Sequence, residues 1–173
     1  PLAEEHQIIL MSPVAASPVI THAGEYVFRI SSSSELLAKE TAQQVLGLGF
    51  KKVGIIYENN DYPKGWKDAF KKSIEAADGK VVIEESFAPG DTDMKTQLLK
   101  VQGKQPDVVL FTVLSPVSAD LLLKQKEELG FNIPIVGNEV FSFKSILTKR
   151  KEAAEGMFIT TYAYDLSSPE MKT

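Results

Sequence analysis

Val108-Val109-Leu110-Phe111-Thr112-Val113-Leu114 runs directly into Ser115-Pro116, and this junction decides the fold. The apolar run is far shorter than the roughly 20 residues that span a bilayer, so it reads as a strand buried inside a domain. Serine at the N-cap and proline at the first helical position then open a helix that extends to Leu129. A buried strand feeding straight into a helix is one half of a βα repeat, and the same pattern recurs on both sides.

Toward the N-terminus, Val53-Gly54-Ile55-Ile56-Tyr57 forms a second strand. The helix before it carries Ala38, Ala42, Val45 and Leu46 on one face, behind a Ser32-x-x-Glu35 capping box. Asp61 is placed to cap the next helix, whose inner face is Trp66, Ala69, Phe70, Ile74 and Ala77 and which leads to the strand Val81-Val82-Ile83. Beyond Gly90, either Thr92 or Asp93 caps a helix with Met94, Leu98 and Val101 turned inward. Toward the C-terminus a strand over 133–136, a helix over 143–150 and a strand over 157–160 complete the run. Gly49, Gly79, Gly103 and Gly130 each fall just past a helix, where a left-handed φ is wanted.

Right-handed crossovers place these strands in one mainly parallel sheet with helices on both faces, an α/β class. Strands over 8–11 and 26–30 do not fit that sheet and are assigned to a second, partial lobe. The expected organisation is therefore a stub of a first lobe and a crossover in 1–30, a complete second lobe in 31–161, and a crossover back in 162–173. Both ends look truncated: Pro1-Leu2-Ala3-Glu4-Glu5 reads as the tail of a helix, and Ser167-Ser168-Pro169-Glu170 as the opening of another.

Composition narrows the function classes. Apolar residues make up 43% of the 173 and charged residues 24%, which is ordinary for a globular chain. Nineteen Lys and Arg against 23 Asp and Glu give a net charge of −4. The only basic run is Lys149-Arg150-Lys151, which is expected to cap a helix C-terminus, so the electrostatic footprint of a nucleic-acid binder is missing. With no cysteine there are no disulfides, thiolate zinc sites or cysteine nucleophiles, and the compartment stays open.

Three loop clusters directly follow strand-like runs: Ser12-Pro13-Val14-Ala15-Ala16-Ser17, Glu58-Asn59-Asn60-Asp61-Tyr62 and Gly137-Asn138-Glu139. In open α/β sheets the crevice beyond the carboxyl ends of the strands is where ligands bind, so hydroxyls, a ring and a carboxylate gathered there point to a site for a small polar molecule. Each residue also has a plainer reading. Glu139 can be a solvated carboxylate or a helix cap, Tyr62 a surface ring, and Ser12 and Ser17 turn serines beside prolines. Glu58 to Asp61 lacks the later bidentate acid of a calcium loop and reads as a turn with an N-cap. His6 and His22 stand alone, and Glu84-Glu85 includes one solvent-facing strand residue. No glycine-rich phosphate cradle follows any strand, which disfavours a nucleotide enzyme or cofactor carrier.

Several motifs, taken in order, resemble one family. They are Ile9-Leu10-Met11-Ser12-Pro13-Val14-Ala15-Ala16-Ser17-Pro18, Tyr26-Val27-Phe28-Arg29, Val53-Gly54-Ile55-Ile56-Tyr57-Glu58-Asn59-Asn60-Asp61-Tyr62, Pro89-Gly90-Asp91-Thr92-Asp93 and Ala153-Ala154-Glu155-Gly156-Met157. Their order and spacing are similar to those of the leucine/isoleucine/valine-type substrate-binding proteins of ABC transporters.

The resemblance implies a type I periplasmic binding protein fold: a flavodoxin-like three-layer α/β/α lobe plus a partial second lobe, hinged near 28–31 and 160–164 and closing on ligand. It implies an extracytoplasmic, periplasmic protein that delivers an amino acid or related small acid to a membrane permease, with no enzyme activity, cofactor, metal or nucleic acid. A ligand-sensing domain of a receptor or regulator is the alternative. The ligand-binding set it implies is Ser12, Val14, Ala15, Ala16, Ser17, Tyr62, Leu114, Asn138 and Glu139. Ala16 stands where the family usually has a threonine, so a side-chain donor is lost there unless Ser17 turns inward, and backbone N–H groups are left to hold the carboxylate. Glu139 matches the acid that pairs with an α-ammonium, a contact of roughly 1.5 to 3 kcal/mol. Leu114 makes a wall that is often aromatic more aliphatic.

Overall fold

A computed structural model describes residues 2–162. A short helix, α1 (Leu2–Glu5), precedes two strands, β1 (Leu10–Ser12) and β2 (Val27–Arg29), which pair in parallel as a separate two-stranded sheet. Then follow α2 (Ser34–Gly47), β3 (Lys52–Glu58), α3 (Asp61–Ala76), β4 (Lys80–Phe87), α4 (Lys95–Gly103), β5 (Val108–Thr112), α5 (Pro116–Glu128), β6 (Ile135–Gly137), α6 (Lys144–Lys149) and β7 (Phe158–Ile159). All the pairings from β3 to β7 are parallel, and the order across the sheet is β4-β3-β5-β6-β7. That is the flavodoxin arrangement, in which the strand order reverses between β3 and β5.

The central strand shows why the sheet is covered on both faces. Val109 and Phe111 of β5 enter one core with α4, α5 and α6 side chains such as Leu98, Leu122 and Ile146. Val108 and Leu110 enter the other core with Ala38, Trp66, Phe70 and Ile74 from α2 and α3. Successive residues of a strand point to opposite faces, so an unbroken apolar run is what two helical layers require. Edge strand β4 instead carries Glu84 and Glu85. Glu84 pairs with Lys67 and Lys71 of α3, and Glu85 with Lys100 of α4, so this edge is guarded by charge.

Several local expectations shift. The N-cap of α2 is Ser33, not Ser32; its Oγ accepts from the N–H of Glu35 and Leu36, so Glu35 sits in the second helical position and no capping box forms. Asp61 is the first residue of α3, behind Asn60 as N-cap, and Ala77 is exposed because the helix has already ended. Asp93 accepts from the N–H of Lys95, while Met94 turns its N–H to Gln125. Gly49 and Gly130 hold positive φ, as expected. After α3 and α4 that conformation falls on Asp78 and Gln105 instead, with φ of 62° and 48°. The Lys149 and Arg150 side chains both reach Asp120 of α5, rather than capping carbonyls, and pin α6 to α5. The expected crossover beyond Tyr162, Tyr164 of the hinge and the helix opening at Ser167 lie outside the described residues.

The segment before α2 is tied to α2 at Ser34 and rests on α3 at Pro18, and two further bonds brace the segment itself. The Ser34 N–H donates to Ala16 O at 2.9 Å, Ser31 Oγ to Ala15 O at 3.0 Å and Arg29 Nη1 to Ser17 O at 2.9 Å. Pro18 lies against α3 at Gly65, where a Cβ would stand 3.3 Å from the proline ring. The β1–β2 pair itself is exposed, with Leu10, Met11 and Phe28 each about half accessible.

Candidate functional site

The loops after β3, β5, β6 and β7 meet at the carboxyl edge of the sheet, beside the reversal between β3 and β5. Here a cavity of about 570 Å³ opens against the segment 14–17. Of the residues expected to bind ligand, Val14, Ala15, Ala16 and Ser17 form one side, and Tyr62, Leu114 and Glu139 belong to the other.

Each wall is fixed by its own polar bracket. On the first side, Ser12 Oγ accepts from the Ala15 N–H at 3.1 Å. Ser12 therefore shapes the loop from outside the cavity. The N–H groups of Ala16 and Ser17 take no partner among the described residues, so two donors remain where the threonine hydroxyl of the resemblance is missing. On the second side, Glu58 is buried, and its Oε2 accepts from the N–H of Leu114 at 2.9 Å and of Ser115 at 3.2 Å. Glu58 thus belongs to the start of α5, and it sets the position of Leu114. Ser115 Oγ completes that cap by accepting from the Val117 N–H.

Asn138 does not reach the cavity. It is fully buried, its Nδ2 donates to Val113 O at 2.8 Å and its Oδ1 accepts from the Val113 N–H at 3.4 Å. Neighbouring β5 and β6 end side by side, so an amide at 138 is close enough to replace the next rung of the ladder. It is the residue before Glu139 and holds the turn Glu139–Ser142 in place.

Glu139 and Tyr62 form the polar centre. The Tyr62 hydroxyl donates to Glu139 Oε1. Burial, and next the adjacent Glu139 carboxylate, push the Tyr62 phenol well above its ordinary 10.0, so it stays a donor. Glu139 Oε2 is buried and has no hydrogen-bond partner among the described residues. A carboxylate oxygen without a hydrogen bond costs free energy unless something cationic or a donor comes to it.

The remaining lining was not foreseen: Val140, Ser142 and Phe143 from the turn after Glu139, and Thr161 and Tyr162 just past β7. The last two sit at a strand's carboxyl end, the same signal that marked the other three clusters. Ser142 Oγ is committed to Glu139 O at 2.7 Å, so the walls are mostly apolar. Among the described residues no group of three His, Cys, Asp or Glu side chains converges as a metal site would require, and no helix is long and apolar enough to cross a membrane.

A Leu/Ile/Val-binding protein of Rhizobium johnstonii is 28% identical over 170 residues, which covers 97% of this chain and 46% of the relative. The solute-binding protein of an ABC transporter from R. palustris, solved in complex with benzoate, superposes with a TM-score of 0.87 at 24% identity, over 99% of this chain and 48% of that one. A branched-chain amino acid transporter substrate-binding protein from Streptococcus pneumoniae, solved with isoleucine, gives a TM-score of 0.77 at 28% identity, over 91% and 45%. The chain spans about half the length of the curated relatives it matches. The family model described as periplasmic binding protein matches residues 1–173, the chain end to end, and the chain belongs to that family, with Leu/Ile/Val-binding proteins among its relatives.

Proposed function

We propose that this chain is part of the extracytoplasmic solute-binding component of an ABC transporter and captures an amino acid for a membrane permease. Residues 31–161 serve as one lobe and the segment before them as the lip of the other, with the hinge near 28–31 and 160–164. The observation that carries the reading is that Glu139, whose Oε2 has no hydrogen-bond partner among the described residues, lines the same cavity as Ala16 and Ser17, whose N–H groups have none either. A zwitterion supplies what each side lacks: its ammonium answers Oε2 and its carboxylate the two amides. The apolar lining formed by Val14, Leu114, Val140 and Phe143 suits a hydrocarbon side chain. The names of the relatives, which include binding proteins for leucine, isoleucine and valine, support the same ligand class.

Titration calorimetry on the 173-residue chain with leucine and with benzoate tests this. Leucine is expected to bind and benzoate, which brings no ammonium to Oε2, to bind far more weakly. Equal affinity for the two, or leucine affinity untouched by Glu139→Gln, would overturn the assignment.

A further inference from the structure

Helix α2 touches the cavity nowhere, yet it is bonded to both of its sides. At its first residue, the Ser34 N–H holds the carbonyl of Ala16. Seven residues further along, Thr41 Oγ1 lies 2.6 Å from Thr160 Oγ1, across 119 residues of chain. The two contacts sit about 10 Å apart along one rigid rod, at 1.5 Å of rise per residue.

The direction of the hydroxyl bond can be worked out. Thr41 Oγ1 is 2.7 Å from Leu37 O, a carbonyl that can only accept, so the single Thr41 proton is spent there. Thr160 must therefore donate to Thr41. Its own N–H is spent as well, on Gly137 O at 3.0 Å, which continues the β6–β7 ladder one residue past β7. Thr160 is thus held at both its donors, once by α2 and once by the residue two before Glu139. The next two residues, Thr161 and Tyr162, are cavity wall.

We propose that Thr41 is a positioning residue for ligand binding: through Thr160 it fixes the wall 161–162, while the same helix fixes Ala16 opposite. This rests on the cavity being the ligand site. Thr41 touches no ligand; its contribution is to hold residues 161–162 in place on their own wall, so that this wall is ordered before a guest meets it.

The test pairs a measurement that needs no ligand with one that does. Thr41→Val keeps the shape of the side chain and removes the acceptor. Loss of one neutral hydrogen bond should speed amide hydrogen exchange at Thr160 in the ligand-free chain, and weaken leucine binding, by about three- to tenfold each. Thr41→Ser, which retains the hydroxyl, should restore both values. Thr160→Val breaks the same contact from its less buried end, so the question survives if Thr41→Val fails to fold. The double variant should be no worse than either single one.

Unchanged exchange and affinity in both single variants, a Ser variant as impaired as Val, or additive losses in the double variant would each overturn the proposal. Exchange that responds as expected in a chain that takes up no leucine at all supports the tie between α2 and Thr160 and removes the ligand reading instead.

Discussion

The Tyr62 hydroxyl donates to Oε1 of Glu139, tying the first turn of α3 to the turn after β6 and leaving Oε2 buried with no hydrogen-bond partner among the described residues. One carboxylate oxygen is thereby used to join the two turns, and under the proposed function the other is left for the ligand. The phenol fixes the rotamer of Glu139, so the free oxygen does not have to be ordered when a ligand arrives.

Removing the charge should therefore separate the two roles. Glu139→Gln is expected to weaken leucine binding by about 10- to 100-fold, the range for a lost charge-assisted hydrogen bond. The same variant should let Tyr62 ionise at lower pH than in the unaltered chain, read as phenolate absorbance in an alkaline titration. No movement of that absorbance would show that Glu139 does not perturb the phenol.

The raised Tyr62 pKa also fixes a sign for stability against pH. The folded state holds the phenolic proton more tightly than the unfolded chain does, where tyrosine ionises near 10. Its contribution is fully present below about pH 10 and fades as the pH climbs through the folded value. Denaturant midpoints should fall more steeply above that pH in the unaltered chain than in Tyr62→Phe. Parallel alkaline limbs would contradict it.

Asn138→Ala should cost about 2 kcal/mol in urea unfolding, because it leaves both the N–H and the carbonyl of buried Val113 without a partner. If the loss is instead below about half a kilocalorie, the amide is not the bracket described.

Asp120 makes the opposite pH prediction. The hydrogen-bonded Arg150 guanidinium, with help from Lys149, holds its carboxyl below the usual range. Stability from this cluster is present above the unfolded value near 3.9 and is lost as pH falls through the folded one. Asp120→Asn should lower stability at neutral pH by about 1 kcal/mol and flatten the acid limb, which acid titration followed by circular dichroism would read. An unchanged acid limb would sink the claim.

Much of the scaffold was legible because its causes are local. The run from Val108, the Ser115-Pro116 start and the inward faces Trp66, Phe70, Ile74 and Met94, Leu98, Val101 depend on side-chain period and cap chemistry within a few residues, and they fold as read. The loop clusters at strand ends were legible for the same reason, since the carboxyl edge of a parallel sheet collects them. Where local rules offered near-equal choices, the structure chose: Ser33 over Ser32, Asp78 over Gly79 and Gln105 over Gly103. Gly79 is needed for space instead, because a Cβ there would stand 2.7 Å from Ile74 Cγ2 and 3.1 Å from the Ile74 carbonyl.

What the sequence by itself determined is the alternation of buried strands and amphipathic helices, and hence a parallel sheet whose polar loops gather at one edge. What only the tertiary structure decided is which polar group each loop spends on its neighbours. Glu58 carries the same carboxylate as Glu139 and Thr41 a hydroxyl like that of Ser17, but tertiary contact sets Glu58 against the start of α5 and Thr41 against Thr160, as it sets the Asn138 amide against Val113. A buried polar atom takes the nearest partner that spares it desolvation, and nearness across the sheet is not written in spacing along the chain.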